Sequence, residues 1–203
     1  QTRKPYLERR KSTGYRRKGQ QRPRTYRSCR KAVRKIQDLG MILDMSHIND
    51  KSFWDVLDVA TGPVVATHSN CRALCDQARN LTDEQLKALA DTGGMVGLNS
   101  FNEFVHPVES EQTVDNLVKH LIHMVEIMGI DHVGFGFDFS EFLEGATLSS
   151  FSSQATPYTI GLEDASHVPN LIAAIRKAGF SEEEIEKFAY KNWHDLIRRV
   201  LHE

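Results

Sequence analysis

Long apolar runs are missing from this 203-residue chain. Nothing approaches the roughly 18–20 residues of a membrane-spanning helix, and the start lacks the charged-then-apolar pattern of a secretory signal. Cysteine is scarce and uninformative: Cys29, Cys71 and Cys75 are an odd number without metal-site spacing. Cys71 and Cys75 would lie one helical turn apart, as two packed thiols. Nothing demands an oxidising compartment, so a cytosolic setting is the default expectation.

Acid is nearly absent from one end. Residues 1–35 hold 15 of the 26 Lys/Arg but one of the 27 acids, Glu8. The net charge of -1 therefore hides a basic arm and an acidic remainder. Residues 1–28 also contain no Val, Ile, Met, Phe, Trp or Ala. Such a segment cannot bury enough apolar surface to offset the entropy of ordering, so disorder is expected. A basic arm can bind nucleic acid by neutralising phosphates. The plainer reading is a solvated tail, and nucleic acid is not an expected partner.

From Cys29 onward the pattern changes. Ala32, Val33, Ile36 and Leu39 make a helical stripe, with Gly40 as its C-cap. Strand-like runs then alternate with helical ones. The strands are 41–46, 63–69, 94–101 and 132–139. Helices are expected at 50–59, near Cys71–Gln77, and at 83–92, 112–128, 166–178, 182–190 and 193–202. Thr82 with Gln85 and Ser181 with Glu184 have capping-box spacing. The Ser/Gly-rich loop 140–165 is long enough to be functional.

Four short apolar strands separated by helices imply a parallel sheet buried on both faces. An open doubly wound sheet or part of a (β/α)8 barrel would fit. The glycines of GFGFDF sit inside a strand instead of opening a helix, a poor dinucleotide match. His47, His68, Asn99 and Asp138 fall at or near strand C-terminal ends, where barrel active sites are built, which favours the barrel.

His47 and His68 end the first two strands, each preceded by a hydroxyl residue. On neighbouring strands about 4.8 Å apart they could share a metal, and imidazole suits zinc. The alternative is a pair of hydrogen-bonded structural histidines. Asp138, in a strongly apolar strand, needs a cation partner: a metal, a substrate ammonium or a nearby Lys or Arg. Arg79 follows the His68 strand and is either a solvated loop residue or a carboxylate ligand at the barrel mouth. The remaining histidines read as surface or packing residues, and Trp54 and Trp193 as core.

The segments LGMILDMSH, PVVATHSNCRALCDQARNLTDEQLKAL, HVGFGFDF, GLEDASHVPNLIAAI and FAYKNWHDLIRRVL together resemble the membrane dipeptidase (renal dipeptidase) family of zinc metallopeptidases, from about Arg30 to Leu201. The resemblance implies a metal-dependent amidohydrolase-type (β/α)8 barrel, of which this chain would carry about four β/α units of the C-terminal half behind a disordered basic arm (1–29). It implies hydrolysis of a dipeptide bearing a free carboxylate. His47 and His68 would be zinc ligands, Arg79 would bind the substrate carboxylate, and Asp138 would assist proton transfer or engage the amine.

The family's other ligands, a His-x-Asp pair and a bridging Glu, have no counterpart here. No His precedes His47, and the only acids before it are Glu8, Asp38 and Asp44. Ser140 and Glu141 stand where the family commonly has Asp-Gly. At most a partial zinc site is therefore expected, with little activity from the chain alone. Residues 1–29 would be an out-of-frame or mis-joined segment, and self-association would follow from open sheet edges. Other readings are a nucleic-acid-binding module, or another metal-dependent hydrolase on the same barrel.

Overall fold

The computed structural model describes residues 24–139, 152, 154 and 158–201. Most of the expected basic arm and of the 140–165 loop lies outside the described residues. Helix α1 spans Arg24–Asp38, so it starts inside the segment read as arm. It ends as its sequence suggests: Gly40 takes φ 72°, and the Met41 N–H reaches back to the Ile36 carbonyl at 3.1 Å.

Strands and helices then alternate. Strand β1 (Leu43–Asp44) leads to α2 (Asp50–Leu57), and β2 (Val64–Val65) leads to α3 (Asp83–Asp91). Strand β3 (Val96–Leu98) is followed by α4 (Val114–Met128), and β4 (Val133–Phe135) by α5 (Val168–Lys177). Strands β1 and β2 pair in parallel, Leu43 opposite Val64. A parallel bridge from Ala66 to Val96 joins β2 to β3, and β3 pairs with β4, Val96 opposite Val133. The sheet order is thus β1–β2–β3–β4. Among the described residues this is an open run with no closed barrel, a mixed α/β architecture of alternating units.

Alternation along the strands assigns two faces. Val64, Ala66, Val96, Leu98 and Val133 point into the main core with Phe53, Leu86, Leu117, Leu121 and Phe188. Val65 and Met95 point the other way, into a smaller cluster with Leu196, Ile42 and Trp193. Both expected capping boxes form, at Thr82/Gln85 and Ser181/Glu184.

The chain ends in α6 (Glu182–Glu186) and α7 (Asn192–Leu201). The two expected closing helices are joined by a π-helical turn, Lys187–Lys191, in which the Asn192 N–H bonds the Lys187 carbonyl five residues back. That turn carries the first residues of α7 to the outer edge of β4. Asn192 Nδ2 donates to the Val133 carbonyl at 2.8 Å, and Trp193 Nε1 donates to the Phe135 carbonyl at 2.9 Å. Trp193 is therefore partly core, whereas Trp54, expected inside, is 42% exposed.

The short helix expected at Cys71–Gln77 is replaced by a single turn and an open loop. The physical reason is a buried amide network that takes the backbone elsewhere. Asn80 Nδ2 donates to the Cys75 and Phe104 carbonyls, each at 2.9 Å. Asn70 Nδ2 donates to the Asn99 carbonyl at 3.0 Å, and Asn70 Oδ1 accepts from the Asn99 N–H at 3.0 Å. The Asn80 bond thereby takes the Cys75 carbonyl, a group that a helix would have satisfied internally. Cys71 and Cys75 are free and buried there, as two packed thiols.

Candidate active site

The C-terminal ends of β1, β2 and β4 bring three of the expected residues together. His47 Nε2 and His68 Nε2 are 2.8 Å apart, and His68 Nε2 lies 3.9 Å from Asp138 Oδ2. Asp138 is not within the strand as expected. It follows β4, with its side chain 51% exposed and a left-handed φ of 61°. It is the one non-glycine residue with positive φ among the described residues.

Arg79 joins the same mouth from the loop after β2. Its Nε donates to the Ser46 carbonyl at 2.8 Å, and its guanidinium carbon sits 5.3 Å from the centre of the Phe104 ring. Its Nη2 is buried without a hydrogen-bond partner. Burial works against the guanidinium charge and lowers its pKa, while the Asp138 and Asp44 carboxylates oppose that shift from a distance. Arg79 is thus half-buried, with one of its five N–H donors committed to the protein.

Beneath the histidines lies a cluster that sequence reasoning passed over. Asp44 Oδ1 accepts from the Ser46 N–H at 2.9 Å, the Ser46 hydroxyl at 2.6 Å and the Thr67 N–H at 3.1 Å. Asp44 Oδ2 accepts from the Thr67 hydroxyl at 2.5 Å. Thr67 Oγ1 lies 2.8 Å from His68 Nδ1, and the His68 N–H donates to Ser46 Oγ at 3.1 Å. Burial raises the Asp44 pKa, but the four donors from Ser46 and Thr67 outweigh it and hold the carboxyl below its usual range. Burial lowers the His68 pKa, opposed by the carboxylates of Asp138 and Asp44. The signal was present in the sequence as the hydroxyl residue before each histidine, where it looked like a strand end.

The strand glycines hold this cluster in place. A Cβ on Gly97 would fall 1.9 Å from the Thr67 carbonyl oxygen, and one on Gly136 would fall 1.8 Å from it. The carbonyl of Thr67 therefore rests across β3 and β4 where only glycine leaves room. Asn99, the remaining strand-end polar residue, is buried and structural: its Nδ2 donates to the His68 carbonyl at 3.4 Å. Beside Asp138 a shallow cleft with an accessible volume of only about 10 Å³ is lined by Ser100, Phe101, Tyr158, Leu162 and Glu163.

The expectation of zinc at His47 and His68, even as a partial site, is corrected by this geometry. Among the described residues no group of three or more His, Cys, Asp or Glu side chains could hold a metal ion. A catalytic zinc takes three protein ligands, and two nitrogens on one tetrahedral ion sit about 3.3 Å apart. The two Nε2 atoms are closer than that, at hydrogen-bond distance. The residues present do not fit the group. No helix among the described residues is long and apolar enough to cross a membrane.

Comparison with known proteins agrees with the segments singled out above. The family described as membrane dipeptidase (peptidase family M19) matches residues 27–203. An uncharacterized Klebsiella pneumoniae protein from the pqqA 5′ region is 39% identical over 171 residues, 83% of this chain and 58% of the relative. The dipeptidase tcpJ of Claviceps purpurea is 33% identical over 171 residues, 84% of this chain and 37% of its own. Among solved structures, a Rhodobacter sphaeroides metallo peptidase liganded with a phosphinate mimic of the dipeptide L-Ala-D-Ala superposes with a TM-score of 0.71 at 34% identity. That likeness covers 84% of this chain and 46% of the other. An amidohydrolase from Pseudomonas aeruginosa has a TM-score of 0.76 at 26% identity, covering 86% of this chain and 57% of the other. The chain thus spans about half the length of the relatives it matches. With the matched region running from α1 to the last residue, the chain belongs to the membrane dipeptidase family, peptidase family M19.

Proposed function

We propose that the chain serves the hydrolysis of dipeptides and supplies the part of the site that recognises a substrate's two charged ends. In this reading its four β/α units are the C-terminal half of a (β/α)8 barrel. Arg79 takes the free carboxylate of the substrate, and Asp138 takes the ammonium or a proton at the reacting end.

The observation that carries the reading is the state of Arg79. One edge of its guanidinium is tethered to Ser46, its plane is packed on Phe104, and Nη2 is buried without an acceptor. A buried charged donor left unpaired is costly. A carboxylate removes that cost and matches the fork of donors, which a neutral amide does not. Asp138 is half exposed beside a small cleft, which supports a role in receiving a cation without desolvating it fully. The Rhodobacter relative, with its dipeptide mimic, supports the substrate class.

The reading is tested by calorimetric titration of the full chain with a dipeptide and with its C-terminal amide. The free-carboxylate form should bind at least tenfold more tightly, and Arg79→Met should erase the difference, a loss of about 1.5–3 kcal/mol for a charge-assisted contact. Equal affinity for the two ligands, or a full difference retained in Arg79→Met, would sink the assignment. Hydrolysis by the chain alone should be slight. Efficient turnover would show that the half-site reading is mistaken.

A further inference from the structure

The hydrogen bonds beneath the mouth fix the ring proton of His68 as well as its position. Asp44 accepts four hydrogen bonds and has no proton of its own to give while ionised. The Thr67 hydroxyl has one proton, and it is donated to Asp44 Oδ2. Towards His68 Nδ1, 2.8 Å away, Thr67 Oγ1 can then offer only a lone pair. Nδ1 must therefore carry the ring proton, and in a neutral imidazole Nε2 is left bare. His47 Nε2, 2.8 Å from that bare nitrogen, is the donor of the last link.

We propose that Asp44, acting through the Thr67 hydroxyl, is a positioning residue that holds His68 in the Nδ1–H tautomer and turns its Nε2 lone pair towards the mouth shared with His47 and Asp138. The relay has a rigid base. Ser46 Oγ donates to Asp44 while accepting from the His68 backbone, and the Thr67 carbonyl is lodged against Gly97 and Gly136. Neither Asp44 nor Thr67 need touch substrate. Their effect is to give His68 one orientation and one donor–acceptor pattern instead of two. That this orientation serves dipeptide turnover rests on the function proposed above; the tautomer itself does not.

The test is a long-range proton–nitrogen NMR spectrum of the full ¹⁵N-labelled chain, recorded above the pH range in which imidazole protonates. His68 should show a pyrrole-type Nδ1 and a pyridine-type Nε2, and His47 a protonated Nε2. Thr67→Val removes the hydroxyl at constant shape, and His68 should move to a majority Nε2–H form, while Thr67→Ser should keep the wild-type pattern. Asp44→Ala, with Thr67 intact, frees the hydroxyl to donate to Nδ1 and should produce the same tautomer change. A wild-type spectrum with His68 in the Nε2–H form overturns the proposal without any variant having to fold. Retention of Nδ1–H in Thr67→Val or in Asp44→Ala overturns the relay. If the wild-type pattern is as expected but the dipeptide titration shows no carboxylate preference, the relay stands and the functional reading falls.

Discussion

His120 lies in the core with both ring nitrogens in use. Nδ1 accepts from the Cys71 N–H at 3.1 Å, and Nε2 donates to the Val105 carbonyl at 2.8 Å. Burial pushes its pKa down to about 4 from an ordinary 6.5, with the Val105 carbonyl opposing the shift. Above pH 6.5 the ring is neutral in both folded and unfolded chains, so its contribution to stability is complete there. As pH falls from 6.5 to 4 the unfolded chain takes up a proton that the native chain refuses, and about 3 kcal/mol is lost across that window. Urea denaturation at stepped pH should show this slope, and His120→Gln should flatten it. Residues of this kind were half legible. His47 and His68 stood out because they share one motif position, Asp138 as an acid in an apolar strand and Arg79 by its place after the His68 strand, and the family likeness joined the four. Ser46, Thr67 and Asp44 did not, because a hydroxyl before a histidine and an acid in a strand have many ordinary explanations. Only the distances choose among them. The zinc expectation failed even in its partial form: the sequence already showed that the family's other ligands were missing, but only the distances show His47 and His68 meeting each other with no third ligand among the described residues.

At the scale of elements, local chemistry was read well and long-range chemistry was not. The capping boxes of α3 and α6 depend on four consecutive residues and formed as written. The Cys71–Gln77 helix depended on the same kind of local pattern, but Asn80 takes the Cys75 carbonyl and ties it to the Phe104 carbonyl, 24 residues beyond Asn80. The π-helical turn between α6 and α7 is another long-range feature, because its one extra residue sets which side of α7 faces β4. Deleting Tyr190, an exposed residue of that turn, would let an ordinary α-helix run through and rotate α7 by about 100°. Asn192 and Trp193 would then leave the Val133 and Phe135 carbonyls. The deletion should cost roughly 2 kcal/mol or more, since two backbone acceptors at the sheet edge lose their donors. Urea unfolding followed by tryptophan fluorescence would report both the loss and the changed surroundings of Trp193. An unchanged midpoint would show that the turn is incidental.

For the whole molecule, the open sheet is less open than four strands and two edges imply. The outer carbonyls of β4 are capped by side chains, and α7 lays Leu196 and Trp193 over Val65 and Met95 on the second face. The physical case for self-association through β4 is correspondingly smaller than strand order alone suggests. The overall stability also carries the mark of a single position. Asp138 holds a left-handed backbone, which costs an L-residue about 1–2 kcal/mol, less for aspartate than for most. Asp138→Gly should therefore be at least about 1 kcal/mol more stable than Asp138→Ala, a difference that paired denaturation curves would measure. A search for thermostable variants of this chain would tend to discard the carboxylate beside His68 and keep the turn. The sturdiest form of the fold and the form that keeps the carboxylate proposed to receive a substrate amine are then different sequences.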